Sequence, residues 1–323
     1  MKAAVYYKYG PPEVLQVKDV EKPEPKVDEV LIRIHAATVN RTDCGFRSAK
    51  YFVSRFFTGL RKPKRPIAGS EFAGEVVEVG AEVTEFSPGD RVFGFEDVRS
   101  GAHAEYMTNA ASGSIARIPD GLSYQQIAPA GEGATYAWCD IKAADMKQGQ
   151  KALVYGASGA IGSAAVQILL DMGVEVTAVC GTQNVDLMKS LGAERVVDYQ
   201  SEDFTQIGEK FDLVFDSVGK SSYRACKKLL GPNGKYCSTE LGPGGQNPFL
   251  ALWFSVTRSR RVIFPVPKIG KENTEHIRQL IAVGAFKPII DRTYPLDEIV
   301  DAATYVETGQ KVGNVVIVVR GTE

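Results

Sequence analysis

With 323 residues the chain is too long for a single hydrophobic core, and two domains are expected. Its 38 basic and 39 acidic residues leave a net charge of −1, which excludes a bulk field aimed at nucleic acid or a membrane surface. Five dispersed cysteines (Cys44, Cys139, Cys180, Cys226, Cys237) make no C-x-x-C pair, and no apolar run reaches the ~18 residues of a membrane helix, so a reducing, cytoplasmic setting is expected.

Residues 1–122 are strand-like and rich in turns. Val30–His35 and Phe72–Val79 read as strands, and Ser87-Pro-Gly-Asp-Arg-Val-Phe93 as a turn entering another. From about Ser123 the pattern becomes an alternation of strands and helices. Lys151–Gly156 is a short buried strand, followed by a helix with Ile161, Ala164, Ala165, Ile168, Leu169 and Met172 on one face. Glu175–Cys180 comes next, then a helix carrying Val185, Met188 and Leu191. Arg195–Tyr199, Phe211–Val218 and Gly234–Thr239 add further strands. Such alternation builds a parallel sheet covered on both faces. After about Pro265 the character is mixed again, and the chain closes on the apolar strand Asn314–Val319. The expected fold is therefore α/β. A doubly wound Rossmann sheet over residues 123–265 is inserted in a β-rich domain built from residues 1–122 and 266–323.

The segment Lys151-Ala-Leu-Val-Tyr-Gly-Ala-Ser-Gly-Ala-Ile-Gly162 carries the most chemistry. A strand, a tight glycine turn and a helix start place free backbone N–H groups and a positive dipole end where a pyrophosphate can sit. One glycine lets the turn close, Gly159 lets the backbone approach phosphate, and Gly162 lets helix and strand pack closely. Against G-x-G-x-x-G the chain reads Ala157, Gly159, Gly162, so the first glycine of the strict pattern is missing. A plain glycine turn is the alternative, and the strand-turn-helix context favours the dinucleotide.

Ala37-Thr-Val-Asn40-Arg-Thr-Asp43, Gly69-Ser-Glu-Phe-Ala-Gly-Glu-Val-Val-Glu-Val-Gly80, Pro88–Phe93, Gly149–Gly162, Ser190–Tyr199 and Gly313-Asn-Val-Val-Ile occur in this order along the chain. Together they resemble the medium-chain dehydrogenase/reductase superfamily, in its zinc-free quinone oxidoreductase (zeta-crystallin-like) branch. The resemblance implies a GroES-like β domain joined to a Rossmann domain, an active site in the cleft between them, and NADPH-dependent reduction of quinones or activated alkenes. Zinc-dependent relatives carry a histidine after glycine where this chain has Gly69-Ser70-Glu71. With three histidines in all and Cys44 alone in its region, no tetrahedral donor set is evident and no metal is expected. Cys44 then reads as a small buried thiol.

For the cofactor, an acid at the end of the second strand binds the ribose 2′-OH in NAD-specific folds. Here Cys180-Gly-Thr-Gln-Asn184 carries none, which favours NADPH, with NADH possible. The resemblance assigns Gly181, Thr182 and Tyr199 to the 2′-phosphate. Gln183 departs from the Arg or Lys often found in that loop, and Lys189 is a candidate substitute or a solvated helix lysine. Gly156, Ser158, Gly159, Ala160 and Ile161 are expected at the pyrophosphate, and Thr135 at the nicotinamide ribose. Val218 and Leu241 lie at strand ends facing the cofactor, and Asn314 is expected to reach it. Asn40 and Asp43 are expected beside the nicotinamide, with turn capping an equal alternative. Tyr51 is the candidate proton donor, water the other.

Two aromatic groups, Phe46–Phe57 and Phe249–Phe254, offer apolar walls for a planar substrate. Helix packing is the alternative for both, and a subunit contact for the second. The expected partners are a small quinone or enone and a second copy of the chain, with no nucleic acid and no membrane. An enoyl-thioester reductase and a non-catalytic NADPH-binding protein remain as alternatives.

Overall fold

A computed structural model describes residues 1–50, 54–97 and 101–320 of the chain. Two compact units result. The first joins Met1–Glu132 to Ile269–Ala282 and Pro288–Glu323, and the second joins Gly133–Lys268 to Val283–Lys287.

The second unit is a six-stranded sheet whose spatial order is Arg195–Asp198, Glu175–Cys180, Lys151–Tyr155, Phe211–Asp216, Leu230–Ser238, Val262–Ile263. Every pairing is parallel. The chain thus winds outward twice from the centre, and the direction reverses between the Lys151–Tyr155 and Phe211–Asp216 strands. In such sheets ligands sit at that switch point, beyond the carboxyl ends of the strands. The strands are apolar on both faces because helices cover both. Phe211, Phe215 and Tyr236 are among the largest fully buried side chains, and burying each contributes about 1.5–3 kcal/mol. The two-residue strand Val262–Ile263 is too short to carry a periodic signal, and sequence reading missed it.

The Ala160–Asp171 helix is more enclosed than a one-faced pattern implies, since Ser163, Val166 and Gln167 are buried as well. Residues 283–287 return onto this helix. Gln167 donates through Nε2 to the Lys287 carbonyl at 3.1 Å and accepts the Lys287 N–H at 3.0 Å. A buried amide tolerates its position because the returning backbone satisfies it.

In the first unit, Ile290–Pro295, Asn314–Val318, Glu29–Val39, Glu71–Val79, Arg91–Phe95 and Ile115–Arg117 are consecutive neighbours in one sheet. Tyr106–Ala110 adds to it against Glu29–Val39. The closing strand lies antiparallel on Glu29–Val39, with Val315 opposite Val39 and Val318 opposite Ala36. Ile32, Ile34, Phe72, Val315 and Ile317 fill the core beneath.

One buried acid in the second unit reports on packing. Asp140, on the Glu132–Ala144 helix, is 3% exposed and accepts a hydrogen bond from the buried Cys237 thiol. Burial pushes its carboxyl from 3.8 up to about 7, against the opposing pull of that thiol. The folded state therefore favours the protonated form. The stability contributed is complete below about 3.8 and is lost as pH rises to about 7. Asp140→Asn, which cannot ionise, should remove that slope, worth on the order of 1 kcal/mol per pH unit, in urea denaturation between about pH 5 and pH 7. Equal slopes in both proteins would mean that Asp140 ionises without cost.

Candidate active site

The glycine turn begins where the Lys151–Tyr155 strand ends. Gly156 has φ +80°, a left-handed conformation, and a Cβ there would lie 2.5 Å from Val218 Cγ1. The turn-closing glycine of the fingerprint is thus present one residue early, while Ala157 sits where the strict pattern has glycine. A Cβ on Gly162 would lie 2.8 Å from Ala157 Cα and nearer still to the Gly156 carbonyl oxygen, so helix and turn touch through backbone. Gly159 differs. Its φ is −76°, it occupies the N-cap of the Ala160–Asp171 helix without a side-chain cap, and a Cβ there would meet only the Gly156 oxygen, at 3.5 Å. The helix start carrying Ala160 and Ile161 therefore presents N–H donors beside open space. That arrangement fits a pyrophosphate. Gly133, two residues before the buried Thr135, packs on the Ala160 carbonyl, where a Cβ would stand 2.9 Å away.

Gly156, Gly181, Tyr199, Val218 and Leu241 follow the carboxyl ends of five neighbouring strands, so the fold brings these expected cofactor residues to one edge. Sequence reading missed the residue that organises much of this edge. Asp216 is fully buried. Its Oδ1 accepts the N–H of Val218 at 3.2 Å and of Gly219 at 2.8 Å, and its Oδ2 accepts the Ser221 N–H at 2.9 Å and the Tyr236 hydroxyl at 3.1 Å. Ser217 Oγ donates to the Tyr155 carbonyl at 2.8 Å. The carboxylate holds the loop that presses Val218 onto Gly156. Hydrogen bonds to a charged group contribute about 1.5–3 kcal/mol each.

In the loop after the second strand, a Cβ on Gly181 would find Tyr199 Oη and Gln183 Nε2 at 3.3 Å and Gln183 Oε1 at 3.0 Å. The Thr182 hydroxyl lies 2.6 Å from Asp198 Oδ2. A carboxylate is present after all, delivered by the next strand rather than by the loop. Lys189 places its Nζ 4.0 Å from Asp186 Oδ1.

The first unit gathers a polar cluster at one end of its sheet. Antiparallel register carries Asn40 and Asn314 to the same end. Asn40 and Asp43 form a reciprocal capping box on the Arg41–Ser48 helix: Asn40 Oδ1 accepts the Asp43 N–H at 2.8 Å and Asp43 Oδ2 accepts the Asn40 N–H at 3.1 Å. Asn40 Nδ2 donates to Ser70 Oγ at 2.9 Å. Capping is thus the job both residues visibly perform. Asp43 also has its carboxyl pushed up to about 7 by burial, so it keeps its proton close to neutrality. Asn314 donates through its N–H and Nδ2 to the Ile289 carbonyl, at 2.9 and 3.0 Å. Tyr51 and Phe52 lie outside the described residues.

Beside these is a buried charged group that sequence reading did not single out. Glu71 is fully buried, accepting the Glu132 N–H at 2.6 Å and the Thr38 hydroxyl at 2.5 Å. Burial raises the pKa of Glu71, and burial together with the Glu71 charge raises that of Glu132 well above the carboxylate range. Burial lowers that of Lys311, with the charges of Glu132 and Glu71 opposing. His103 is held neutral, its pKa lowered to about 4 by burial, and it donates from Nε2 to the Thr38 carbonyl at 2.6 Å. Such a site shares protons among its acids instead of exposing a charge.

These residues do not fit a zinc ion. Ser70 stands where an imidazole is needed, and both Glu71 oxygens are engaged. Burial pushes the Cys44 thiol up to about 12, far from the thiolate that zinc requires. Among the described residues no three His, Cys, Asp or Glu side chains come together as a metal-binding group.

The Phe249–Phe254 segment divides between two faces of the Gln246–Val256 helix. Leu250 and Phe254 pack on the core of the second unit, whereas Phe249 and Trp253 are exposed.

Comparison with known proteins agrees with this geometry. Residues 26–120 match the model of the alcohol dehydrogenase GroES-like domain, and residues 191–317 match a model described as zinc-binding dehydrogenase. The chain is 30% identical to a chloroplastic quinone-oxidoreductase homolog of Spinacia oleracea, over 98% of each chain. It is 31% identical to 2-methylene-furan-3-one reductase of Solanum lycopersicum, over 98% of this chain and 79% of that one. The quinone oxidoreductase from Coxiella burnetii superposes with a TM-score of 0.88 at 28% identity, covering 99% of both chains. A mycobacterial protein complexed with NADPH superposes at 0.81 with 26% identity, over 98% of this chain and 99% of that one. The chain belongs to the medium-chain dehydrogenase/reductase superfamily, in its quinone oxidoreductase branch, and is an oxidoreductase of that type.

The two glycines of the turn should separate experimentally. Gly162→Ala drives a methyl into the Gly156 backbone and should cost about 1–3 kcal/mol of stability. Gly159→Val faces open space and should change stability by less than about 1 kcal/mol. Urea denaturation checks both, and equal losses would contradict the contact geometry.

Proposed function

We propose that the protein is a reductase of quinones or activated alkenes such as enones, working with NADPH and accepting NADH. The carrying observation is the second unit's edge: a left-handed Gly156, an uncapped helix start behind Gly159, and strand-end loops on either side. The names of the relatives, quinone oxidoreductase and 2-methylene-furan-3-one reductase, supply the substrate class. NADPH as the cofactor is supported by the solved relative complexed with it.

The dinucleotide supplies a hydride; the chain's residues bind, orient and manage protons. The N–H groups at Ser158, Ala160 and Ile161 hold the pyrophosphate, which passes over Gly159, whose own N–H donates to the Gly156 carbonyl at 3.1 Å, and Gly181, Thr182 and Tyr199 line the 2′-phosphate end of the adenosine ribose. Thr135, Val218, Leu241 and Asn314 are assigned to the nicotinamide half. In the first unit the Asn40–Asp43 pair fixes the start of the Arg41–Ser48 helix. Asp43, hydrogen-bonded by the Ser70 hydroxyl that Asn40 also contacts, offers the proton that a developing enolate or phenolate needs. Tyr51 remains assigned as the alternative donor. The pH dependence follows from Asp43: donation requires its protonated form and should fade as pH rises past about 7.

We also propose a homodimer. Its support is the spacing of Phe249, Leu252, Trp253 and Val256, which stand 64–74% exposed along one face of the Gln246–Val256 helix.

The experiment is oxidation of NADPH and NADH against a panel of quinones, enones and enoyl thioesters. Turnover of the first two classes is expected. Preference for thioesters would reassign the protein as an enoyl-thioester reductase, and binding without turnover as a non-catalytic NADPH-binding protein. Gly159→Val should lose dinucleotide affinity by at least about a hundred-fold, since its side chain fills the pyrophosphate position. Gly181→Asp should weaken NADPH by about ten-fold through charge repulsion and spare NADH. Equal loss of both would point to general damage.

A further inference from the structure

We propose that Asp198 is a specificity-determining residue of the dinucleotide site, a fixed carboxylate that opposes a 2′-phosphate and so narrows the margin of NADPH over NADH. The inference rests on the assignment of Gly181, Thr182 and Tyr199 to the 2′-phosphate end of the adenosine ribose. Parallel register sets Asp198 opposite Cys180, at the carboxyl ends of adjacent strands. Gly181 and Thr182 follow Cys180 directly, Tyr199 follows Asp198, and the Tyr199 N–H donates to the Cys180 carbonyl at 3.1 Å. The acid therefore belongs to the same loop pair as the expected 2′-phosphate contacts.

Its geometry is held from two sides. Asp198 Oδ2 accepts from Thr182 Oγ1 at 2.6 Å, and Oδ1 accepts the Gln200 N–H at 2.9 Å. These hydrogen bonds, that of Thr182 first, keep the carboxyl below its ordinary range, and so ionised at neutral pH.

Two consequences follow. A threonine hydroxyl has one proton to donate, and here Asp198 takes it. Gln200 Oε1 lies 2.6 Å from the same hydroxyl oxygen; one proton cannot serve both acceptors, so with Asp198 holding it the Gln200 amide is satisfied only when flipped to donate from its nitrogen. Thr182 is left with no proton for a phosphate while its Asp198 bond persists. Further, any phosphate oxygen touching Thr182 Oγ1 comes within roughly 5 Å of the carboxylate, the sum of two hydrogen-bond lengths. Two like charges at that range repel appreciably even with solvent screening. Lys189, on the helix that follows, pairs with Asp186 at 4.0 Å, and Arg195 lies at the opposite end of the strand that ends in Asp198, paired with Glu202 at 2.8 Å. A ribose 2′-OH meets no such opposition, because it can donate to the carboxylate.

Titration of NADPH and NADH into wild type, Asp198→Asn and Asp198→Ser, by calorimetry, tests the proposal. Asparagine keeps the volume and one acceptor while removing the charge. Both variants should tighten NADPH by about ten-fold, while NADH stays within about two-fold or weakens. The gain should shrink at about 0.5 M salt, where the Debye length falls to a few ångström; a merely structural effect would not respond to salt in this way. Wild-type binding with an unmoved NADPH-to-NADH ratio in both variants overturns the role of Asp198 alone. A wild type that binds neither nucleotide overturns the dinucleotide assignment itself, and this inference with it.

Discussion

Close backbone contact at the glycine turn is the constraint on which the second unit depends. The Gly156 carbonyl meets the Gly162 Cα, and the Gly156 Cα meets the Val218 methyl groups, with no room for a Cβ at either glycine. Strand, turn and helix are therefore held in one relative placement. The N–H groups of Gly156 and Ala157 both donate to the Val179 carbonyl, at 3.1 and 3.0 Å, which ties the turn to the neighbouring strand. The helix start consequently points past the sheet edge, where its unpaired donors and dipole act on the same volume.

That contact needs support from the other side, and Asp216 supplies it. A buried carboxylate is costly unless hydrogen-bonded, and this one accepts three backbone N–H groups and a tyrosine hydroxyl. The same bonds that make the charge tolerable fix Val218 against Gly156. Burial raises the pKa of Asp216 while the N–H groups of Ser221, Val218 and Gly219 oppose the shift. Loop conformation and charge satisfaction are one requirement here.

The first unit solves a different electrostatic problem. Glu71 and Glu132 are buried near one another, with Asp43 close by; Lys311 is a cation that acts on Glu132, and Arg47 one that acts on Asp43. In a medium of low polarity these acids oppose one another's ionisation, and burial favours their protonated forms. Hydroxyls of Thr38 and Ser70 and the amide of Asn40 link these groups into a connected polar end of the sheet.

The alternation of apolar strands with helical periods determined the α/β architecture, because a strand covered on both faces must be apolar throughout and a covering helix must carry a stripe. Expected strands at 151–156, 175–180, 195–199 and 211–218 match the observed Lys151–Tyr155, Glu175–Cys180, Arg195–Asp198 and Phe211–Asp216. The glycine turn was legible too, since its spacing is set by local geometry over a dozen residues. The short Val262–Ile263 strand was not, for two residues carry no period. What tertiary structure alone decided concerns neighbours distant in sequence. Asn40 and Asp43 read equally as catalytic or capping residues, and only the folded chain displays the reciprocal bonds of the cap. Asp216 looked like one more strand residue until its loop closed over it. No acid was found by scanning past the second strand, yet Asp198 arrives beside Thr182 from 16 residues further along the chain. Parallel pairing puts the ends of successive strands side by side, so the charge at a strand-end site belongs to several segments, and a window on any one of them sees only its own.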